Sequence, residues 1–260
     1  MEQKSTITEL DIPFPEATTY FLKLQVGACR LRIKPGDESS WISGTYNEPG
    51  GSVPLKISQE GGVVKIAQEL MVGDWWVHYG EKPPVFDLVL GKDHPYTLSL
   101  EIGASENQID LGGLPLTRLI IKYGAGKIAL DFSAPNPEQM SLLELDAGAA
   151  SLSMERLANA NFGEMVVHGG AAGYDFDFGG ELLRESHVRI TAGMAAVEIT
   201  IPQTTPAMVT AEAMLGSLSL GDGFSRREGA FWNQAAQDGK TPQLEITANV
   251  TLGSLKVRQT

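Results

Sequence analysis

One sequence motif recurs along the chain from about residue 98 onward. Each copy has an alternating apolar stretch, a bend rich in Gly and Ala, and a second alternating stretch. The first apolar residue after each bend falls at Ile128, Leu152, Tyr174, Val197, Leu218 and Leu255. The steps between these positions are 24, 22, 23, 21 and 37 residues, and the last step equals one period plus an insertion. A repeat that keeps both its length and its apolar phase is typical of architectures in which like units stack.

The alternation within each stretch is typical of a β-strand with one buried face. In one copy the predicted inward residues are Val188, Ile190, Ala192, Val197, Ile199 and Ile201. Thr200 lies between two of them and is predicted to face solvent. Two strands and two turns use about 22 residues, the length of one coil in a β-solenoid whose coils stack about 4.8 Å apart. The sequence therefore predicts an all-β, stacked-coil β-solenoid. The alternative is an ordinary antiparallel sandwich with similar strands.

Small residues mark the bends of successive copies. They include Gly124, Gly148, Gly170 and Gly193. Glycine suits a tight corner either because it reaches positive φ or because it allows two backbones to approach closely. Either reason predicts a corner at the same height in each coil.

Residues 1–97 have a different pattern. Residues 22–33 resemble one coil, and the sequence around Glu60, Gly61 and Gly62 predicts a hairpin. We expect 1–97 to form a β-rich N-terminal cap domain, because an exposed end of a coil stack is an unpaired sheet edge. We expect 98–260 to form the solenoid, interrupted at 221–243 by a polar insertion loop.

Composition excludes several classes of protein. The net charge of −12 argues against a surface built to neutralise nucleic-acid phosphates or to bind anionic lipid. The single cysteine, Cys29, excludes an internal disulfide and a multi-cysteine zinc site. No apolar run reaches the roughly 18 residues of a spanning helix, and the first 20 residues lack the apolar core of a signal peptide. No sequence motif for a cofactor is present.

Outward residues of stacked coils should form ladders. One predicted ladder, in order of sequence, is Lys122, Asp146, His168, Thr191, Glu212 and Asn249. Carboxylates on neighbouring coils predict either a solvated acidic face or a calcium site, since like charges at strand spacing destabilise unless they are bridged. The weak calcium candidates are Glu155, Asp175, Asp177 and Glu198. No motif predicts any other metal site.

Two groups of residues are the candidates for binding a partner. The first is the aromatic group Trp75, Trp76, His78 and Tyr79, whose flat faces suit sugars or peptide side chains, with burial in the cap as the alternative. The second is the insertion with Arg226, Arg227 and Trp232, because loops on a rigid scaffold often carry function. No spacing of Ser, His, Cys or carboxylates predicts catalytic residues.

The repeat phrases, such as DAGAASLSM and TAGMAAVEITI, and the β-rich segment before them resemble a known bacterial group. They are similar to the toast-rack family, to the C-terminal domain of cell-wall-active-antibiotic response proteins, and to bacterial adhesins with stacked strands. The resemblance implies a cell-envelope module, adhesin-like or sensing, that binds without catalysis.

We therefore expect a non-enzymatic interaction scaffold with a protein or glycan partner, without nucleic-acid binding or direct membrane insertion. A carbohydrate-active enzyme that uses the acidic outward ladder is the alternative function. A third interpretation is self-association through the ends of the coil stack.

Overall fold

The computed structural model describes residues 5–36, 40–49, 54–68 and 83–260. Within these ranges the protein is all-β: seventeen strands join in one sheet around one hydrophobic core. The strands are β1 (Ser5–Pro13), β2 (Phe21–Val26), β3 (Cys29–Pro35), β4 (Ser40–Pro49), β5 (Leu55–Glu60), β6 (Val63–Gln68), β7 (Val85–Leu90), β8 (Tyr96–Asp110), β9 (Leu116–Asp131), β10 (Met140–Glu155), β11 (Phe162–Gly169), β12 (Ala172–Asp177), β13 (Ser186–Ile201), β14 (Ala207–Leu220), β15 (Phe224–Arg227), β16 (Ala230–Asn233) and β17 (Leu244–Gln259). Two short helices, a 3-10 helix at Leu157–Ala160 and α1 at Gln234–Gln237, connect strands.

The long strands pair in parallel and in the register that the repeat predicts. Leu98 of β8 pairs with Leu119 of β9, which pairs with Leu143 of β10. Leu143 pairs with Met165 of β11, and Met165 pairs with Val188 of β13. The residues that the repeat predicts to point inward are thus the ones that pair with one another on neighbouring strands.

The inward residues fill a narrow core along the pairing direction. On β9, β10 and β13 the side chains that alternate inward on both arms are buried, and most of those beside them face outward. Burial of each such Leu or Ile side chain contributes about 1.5–3 kcal/mol to stability. Since each strand buries its inner face against its neighbours, stability depends on the stack rather than on any one strand.

Glycines at the bends stack directly on one another. A Cβ atom on Gly148 would lie 2.6 Å from the carbonyl oxygen of Gly124, and one on Gly170 would lie 2.6 Å from that of Gly148. A Cβ on Gly124 would lie 3.0 Å from the carbonyl oxygen of Gly103. Close approach of the backbones therefore requires glycine at these positions. Any side chain introduced there would force the neighbouring strands apart.

The order of the last strands differs from the order of the sequence. Val197 of β13 pairs with Leu255 of β17, which in turn pairs with Leu218 of β14. The predicted order of the outward ladder, from Thr191 to Glu212 to Asn249, is therefore wrong: the ladder runs from Thr191 to Asn249 and then to Glu212.

The apolar content of the two strands explains this exchange. The inner residues on the first arm of β17 are larger or equal in size: Ile246 pairs with Val209 of β14, Ala248 with Ala211, and Val250 with Ala213. A strand in the interior position has neighbours on both sides and so buries more of its apolar side chains. Placing β17 there, rather than β14, therefore gains more free energy from apolar burial.

The insertion is also more ordered than a polar loop. Residues 224–233 form the hairpin β15–β16, and α1 follows it. Phe224 and Phe231 pack against the hydrophobic core, which gives the hairpin an apolar side. The buried Asn233 side chain accepts hydrogen bonds from the backbone N–H groups of Ala207 and Ala236, each at 3.0 Å, and so fixes the start of α1.

The N-terminal part combines stacked and antiparallel strands. β2 and β3 pair in parallel with β8, as residues 22–33 predict, and the hairpin β5–β6 turns at the predicted Glu60–Gly62. β4 lies antiparallel to β7, and β1 lies antiparallel to β4. The division at residue 97 stays a prediction about independent folding, although strands from both sides of it share one sheet and one core.

Substitution of Gly148 by Ala should lower the free energy of unfolding by about 1–3 kcal/mol, because its Cβ would overlap the Gly124 carbonyl oxygen. The matched control is Gly173→Ala on β12, where a Cβ would meet no atom within 4 Å. This control should change stability by less than about 0.5 kcal/mol. Denaturant unfolding of both variants measures the difference, and equal losses would contradict the close-approach role.

Replacement of Ile190 by Asp should cost several kcal/mol, because it places an unpaired charge in the core. Thr191→Asp is the control, since Thr191 is exposed. Thr200 cannot serve, because the structure buries it, contrary to the expectation from alternation. Similar thermal midpoints for the Ile190 and Thr191 variants would show that the inward register is wrong.

Candidate functional site

The hairpin β15–β16 brings together all three of its predicted binding residues. Arg226 lies opposite Phe231, with its guanidinium carbon 5.9 Å from the centre of that ring. Arg227 lies over Trp232, at 5.8 Å from the ring centre. Both arginines are exposed and Trp232 is half-buried. The arrangement is that of two cation–π pairs on one hairpin.

These contacts orient the two guanidinium groups, and Arg227 Nε also lies 3.9 Å from a carboxylate oxygen of Glu228. A ring face attracts the cation but leaves its N–H donors available for a carboxylate or phosphate. Gln237 of α1 holds the base of the hairpin, since its Nε2 donates to the Ser225 hydroxyl at 2.9 Å and to the Trp232 carbonyl at 3.1 Å. The hairpin therefore holds two oriented guanidinium groups at the protein surface.

The other predicted aromatic group, Trp75, Trp76, His78 and Tyr79, lies outside the described residues. Its role as a binding patch, or as part of the cap, stays a prediction.

The calcium candidates lie on neighbouring strands, and the carboxylates of two of them, Glu198 and Asp177, have other partners. Asp175 pairs in register with Glu198, whose Oε1 lies 2.5 Å from Arg258 Nε and 3.5 Å from Lys256 Nζ. Asp177 accepts a hydrogen bond at 3.0 Å from the backbone N–H of Gly179. In the described ranges no three His, Cys, Asp or Glu side chains are grouped so that they could hold a metal ion. Glu155 lies beside Asp177, one residue beyond the paired Met154 and Phe176, and it also lines a further surface.

That surface is a trough of about 730 Å³ that runs from β4 to β10. Asp110, Asp131 and Glu155 stand on consecutive strands along one side of it. Arg32 and Lys34 of β3 also line it. The trough therefore combines both signs of charge.

Asp131 is the perturbed carboxylate of this trough. Burial raises its pKa, and Arg156, which contacts its Oδ2, opposes that rise. Asp110 is instead occupied by the turn that follows β8, since its Oδ1 accepts from Gly112 N at 2.9 Å and its Oδ2 from the Ser133 hydroxyl at 2.7 Å. The side of the trough thus holds one carboxylate that caps a turn and one that is paired with arginine.

An aromatic cluster near the start of the coils was missed at the level of sequence. Phe14 stacks on Trp41 with ring centres 5.1 Å apart, and Tyr20 stacks on His94 at 4.8 Å. Tyr96 lies beside Trp41 at 5.7 Å. Its five members come from four separate segments without common spacing, so no sequence pattern could have joined them.

Cys29 is buried in the core, and burial raises the pKa of its thiol to about 12. A thiol in that state is not a nucleophile at neutral pH. His168 and His187 lie on different ladders, and His187 Nδ1 lies 2.9 Å from a carboxylate oxygen of Glu245. Neither histidine forms part of a catalytic group with Cys29.

Parallel, in-register strands with glycine corners define an all-β protein of stacked repeats. The family model for the N-terminal domain of toast_rack, DUF2154, matches residues 1–155, which is more than half of the chain. The protein therefore belongs to the toast-rack family. The match crosses residue 97, so the family's domain includes β8, β9 and β10.

Two solved structures of bacterial proteins are similar to this chain. A "putative cell adhesion protein" from Clostridium sporogenes is 16% identical and covers 99% of this chain and 100% of its own, with a TM-score of 0.51. A "putative adhesin" from Bacteroides fragilis is 7% identical and covers 99% of this chain and 98% of its own, with a TM-score of 0.46. At 16% identity, the first of these structures shows similarity of fold alone.

No curated protein matches the chain in sequence. Among the described residues, neither helix has the length and apolar content to cross a bilayer.

Replacement of Asp131 by Asn should stabilise the protein relative to wild type as the pH rises from about 3 to 7. A carboxyl whose folded pKa is raised contributes stability below its unfolded pKa, near 3.9, and loses it as pH rises through the folded pKa. Asn cannot ionise, so the variant lacks this loss. Thermal midpoints of both proteins across this pH range measure the effect. A variant that instead falls behind wild type at pH 7 would show that the Arg156 pair outweighs burial.

Proposed function

We propose that the protein is a non-enzymatic interaction scaffold of the bacterial cell envelope. Its strands form a β-solenoid with coils of about 22 residues, preceded by a β-rich cap, and it presents the hairpin β15–β16 to a protein or glycan partner. The two arginines stacked on aromatic rings carry this proposal, because they are oriented, exposed and serve no ladder contact. The partner surface is one that carries carboxylate or phosphate groups.

The ladder charges support a structural role for the rest of the outward surface. Arg118 lies 3.7 Å from Glu144, and Arg189 lies 3.5 Å from Glu164, in each case on a neighbouring strand. Such exposed pairs are worth little energy each, but they neutralise like charges that would otherwise repel across strands. The hairpin arginines differ because aromatic rings, rather than ladder carboxylates, hold them.

The alternative function is a carbohydrate-active enzyme that uses the acidic outward residues. The observation in its favour is the trough with Asp131, whose pKa is raised, as a general acid requires. Against it, Arg156 contacts Asp131 and Asp110 caps a turn, so the two carboxylates lack the freedom of a catalytic pair. Release of reducing sugar from a polysaccharide, lost in Asp131→Asn, would favour the enzyme over the scaffold.

Binding to purified bacterial cell-wall sacculi tests the proposal. Wild-type protein should co-sediment with the sacculi, and the double variant Arg226→Ala/Arg227→Ala should bind at least about tenfold more weakly, equivalent to about 1.4 kcal/mol. The loss is expected because both oriented guanidinium groups are removed.

The matched control is Arg118→Ala/Arg189→Ala, which removes the same charge from exposed arginines of the ladder. It should bind within about twofold of wild type if position rather than net charge matters. Equal loss in the two double variants would reduce the interaction to general electrostatics. Absence of binding by the wild type would contradict a cell-wall partner.

A further inference from the structure

β14 ends the stack and leaves most of one edge unpaired. Along one edge it pairs with β17 over its whole length. Along the other, only Met208 and Val209 pair, with β16. In the described part of the chain, no strand pairs with that edge at residues 210–220. Backbone donors and acceptors at such an edge can bind another strand.

At this edge, apolar side chains that point toward the core are partly exposed to solvent. Leu218, at an inward position, is 37% exposed, whereas Leu255 beside it on β17 is fully buried. Residues 213–221 contain no charge and no proline. Natural edge strands usually carry such residues to prevent association. Strand β1, at the opposite end, has them in Glu9, Asp11 and Pro13.

An apolar ridge adjoins this edge at the glycine corner. Met194, Leu252 and Leu215 pair in register on β13, β17 and β14, and they are 61%, 42% and 65% exposed. In earlier strands the same row holds alanines at 104, 125 and 149. Met214, next to the ridge, is 68% exposed. The large apolar side chains are therefore confined to the strands nearest the unpaired edge, a pattern typical of a binding surface.

We propose that this edge binds an extended segment of a partner polypeptide, which adds to β14 as a further strand. Main-chain hydrogen bonds would supply the affinity, and apolar residues at alternate positions would cover Leu218 and Leu220. The segment carries net positive charge, because the exposed carboxylates of Glu212 and Asp222 border the neutral stretch and the chain has a net charge of −12. The inference rests on the proposed scaffold function but uses a surface other than the two arginines.

A peptide of residues 244–259 is the natural probe. In the protein this strand, β17, has neighbours on both edges, β13 and β14, so its sequence is suited to pairing in the stack. It carries Glu245 against Lys256 and Arg258, which leaves it net positive. A peptide with the same residues in scrambled order is the control for composition.

Fluorescence anisotropy of the labelled peptide, titrated with the full chain, tests the edge. We expect saturable binding, at least about tenfold weaker for Leu215→Lys, because lysine on an edge strand opposes pairing and repels a basic partner. Met194→Lys is the matched control, with similar exposure but two strands away from the edge, and it should stay within about twofold of wild type. The scrambled peptide should bind at least about tenfold more weakly than the probe.

Several outcomes would overturn the proposal. They are absence of saturable binding, equal binding of the scrambled peptide, and equal loss in the two lysine variants. Self-association of the chain by light scattering, abolished by Leu215→Lys, would assign the edge to a second copy instead. Binding to neutral lipid vesicles that both lysine variants lose would assign the ridge to a lipid surface. Peptide binding that survives Arg226→Ala/Arg227→Ala, with sacculus binding absent, would contradict the proposed function while the edge stands.

Discussion

Backbone contact between glycines at the bends is the constraint on which the stack depends. The carbonyl oxygen of Gly124 occupies the space that a side chain on Gly148 would need, and Gly148 does the same to Gly170. From β8 to β11 this column lets the strands bend and remain at hydrogen-bonding distance, whereas Thr251 of β17 and Met214 of β14 stand at the corresponding places later in the stack. The two arms of each strand then place their inward residues at the same heights, so that one narrow core serves all strands. The distance between outward side chains on neighbouring strands is set by the same backbone contact at the bends.

The repeat phase was enough to predict parallel, in-register pairing, because inward burial and period-two alternation express the same geometry. It could not predict that β17 enters between β13 and β14. The order of these strands depends on which of the two has the greater apolar content. The spacing of the repeats along the chain carries no information about that difference. The hairpin β15–β16 was missed for a related reason: Phe224 and Phe231 become an apolar side only once the core they cover exists.

The candidate site shows the same division. Arg226, Arg227 and Trp232 lie within seven residues, so a local stretch of sequence was sufficient to propose them together. The cluster around Trp41 joins residues from Phe14 to Tyr96, and only the fold brings them into contact. The carboxylates were predictable as neighbours through the ladder. The ion-pair partners of these carboxylates, such as Arg156 for Asp131, were not predictable. They lie in turns, whose geometry the alternation of apolar and polar residues does not describe.

The interior position of β17 has a consequence for the order in which the chain can complete its fold during synthesis. β14 leaves the ribosome before β17, yet it pairs along its length only with β17. While residues 221–243 are being translated, the stack therefore ends at β13, and both β14 and the exposed edge of β13 wait for a strand still to be made. The hairpin and α1 then act as a spacer that lets β17 reach back into the gap. Translation speed through this segment sets how long two uncovered edges coexist, and hence how long the nascent chain is open to aggregation.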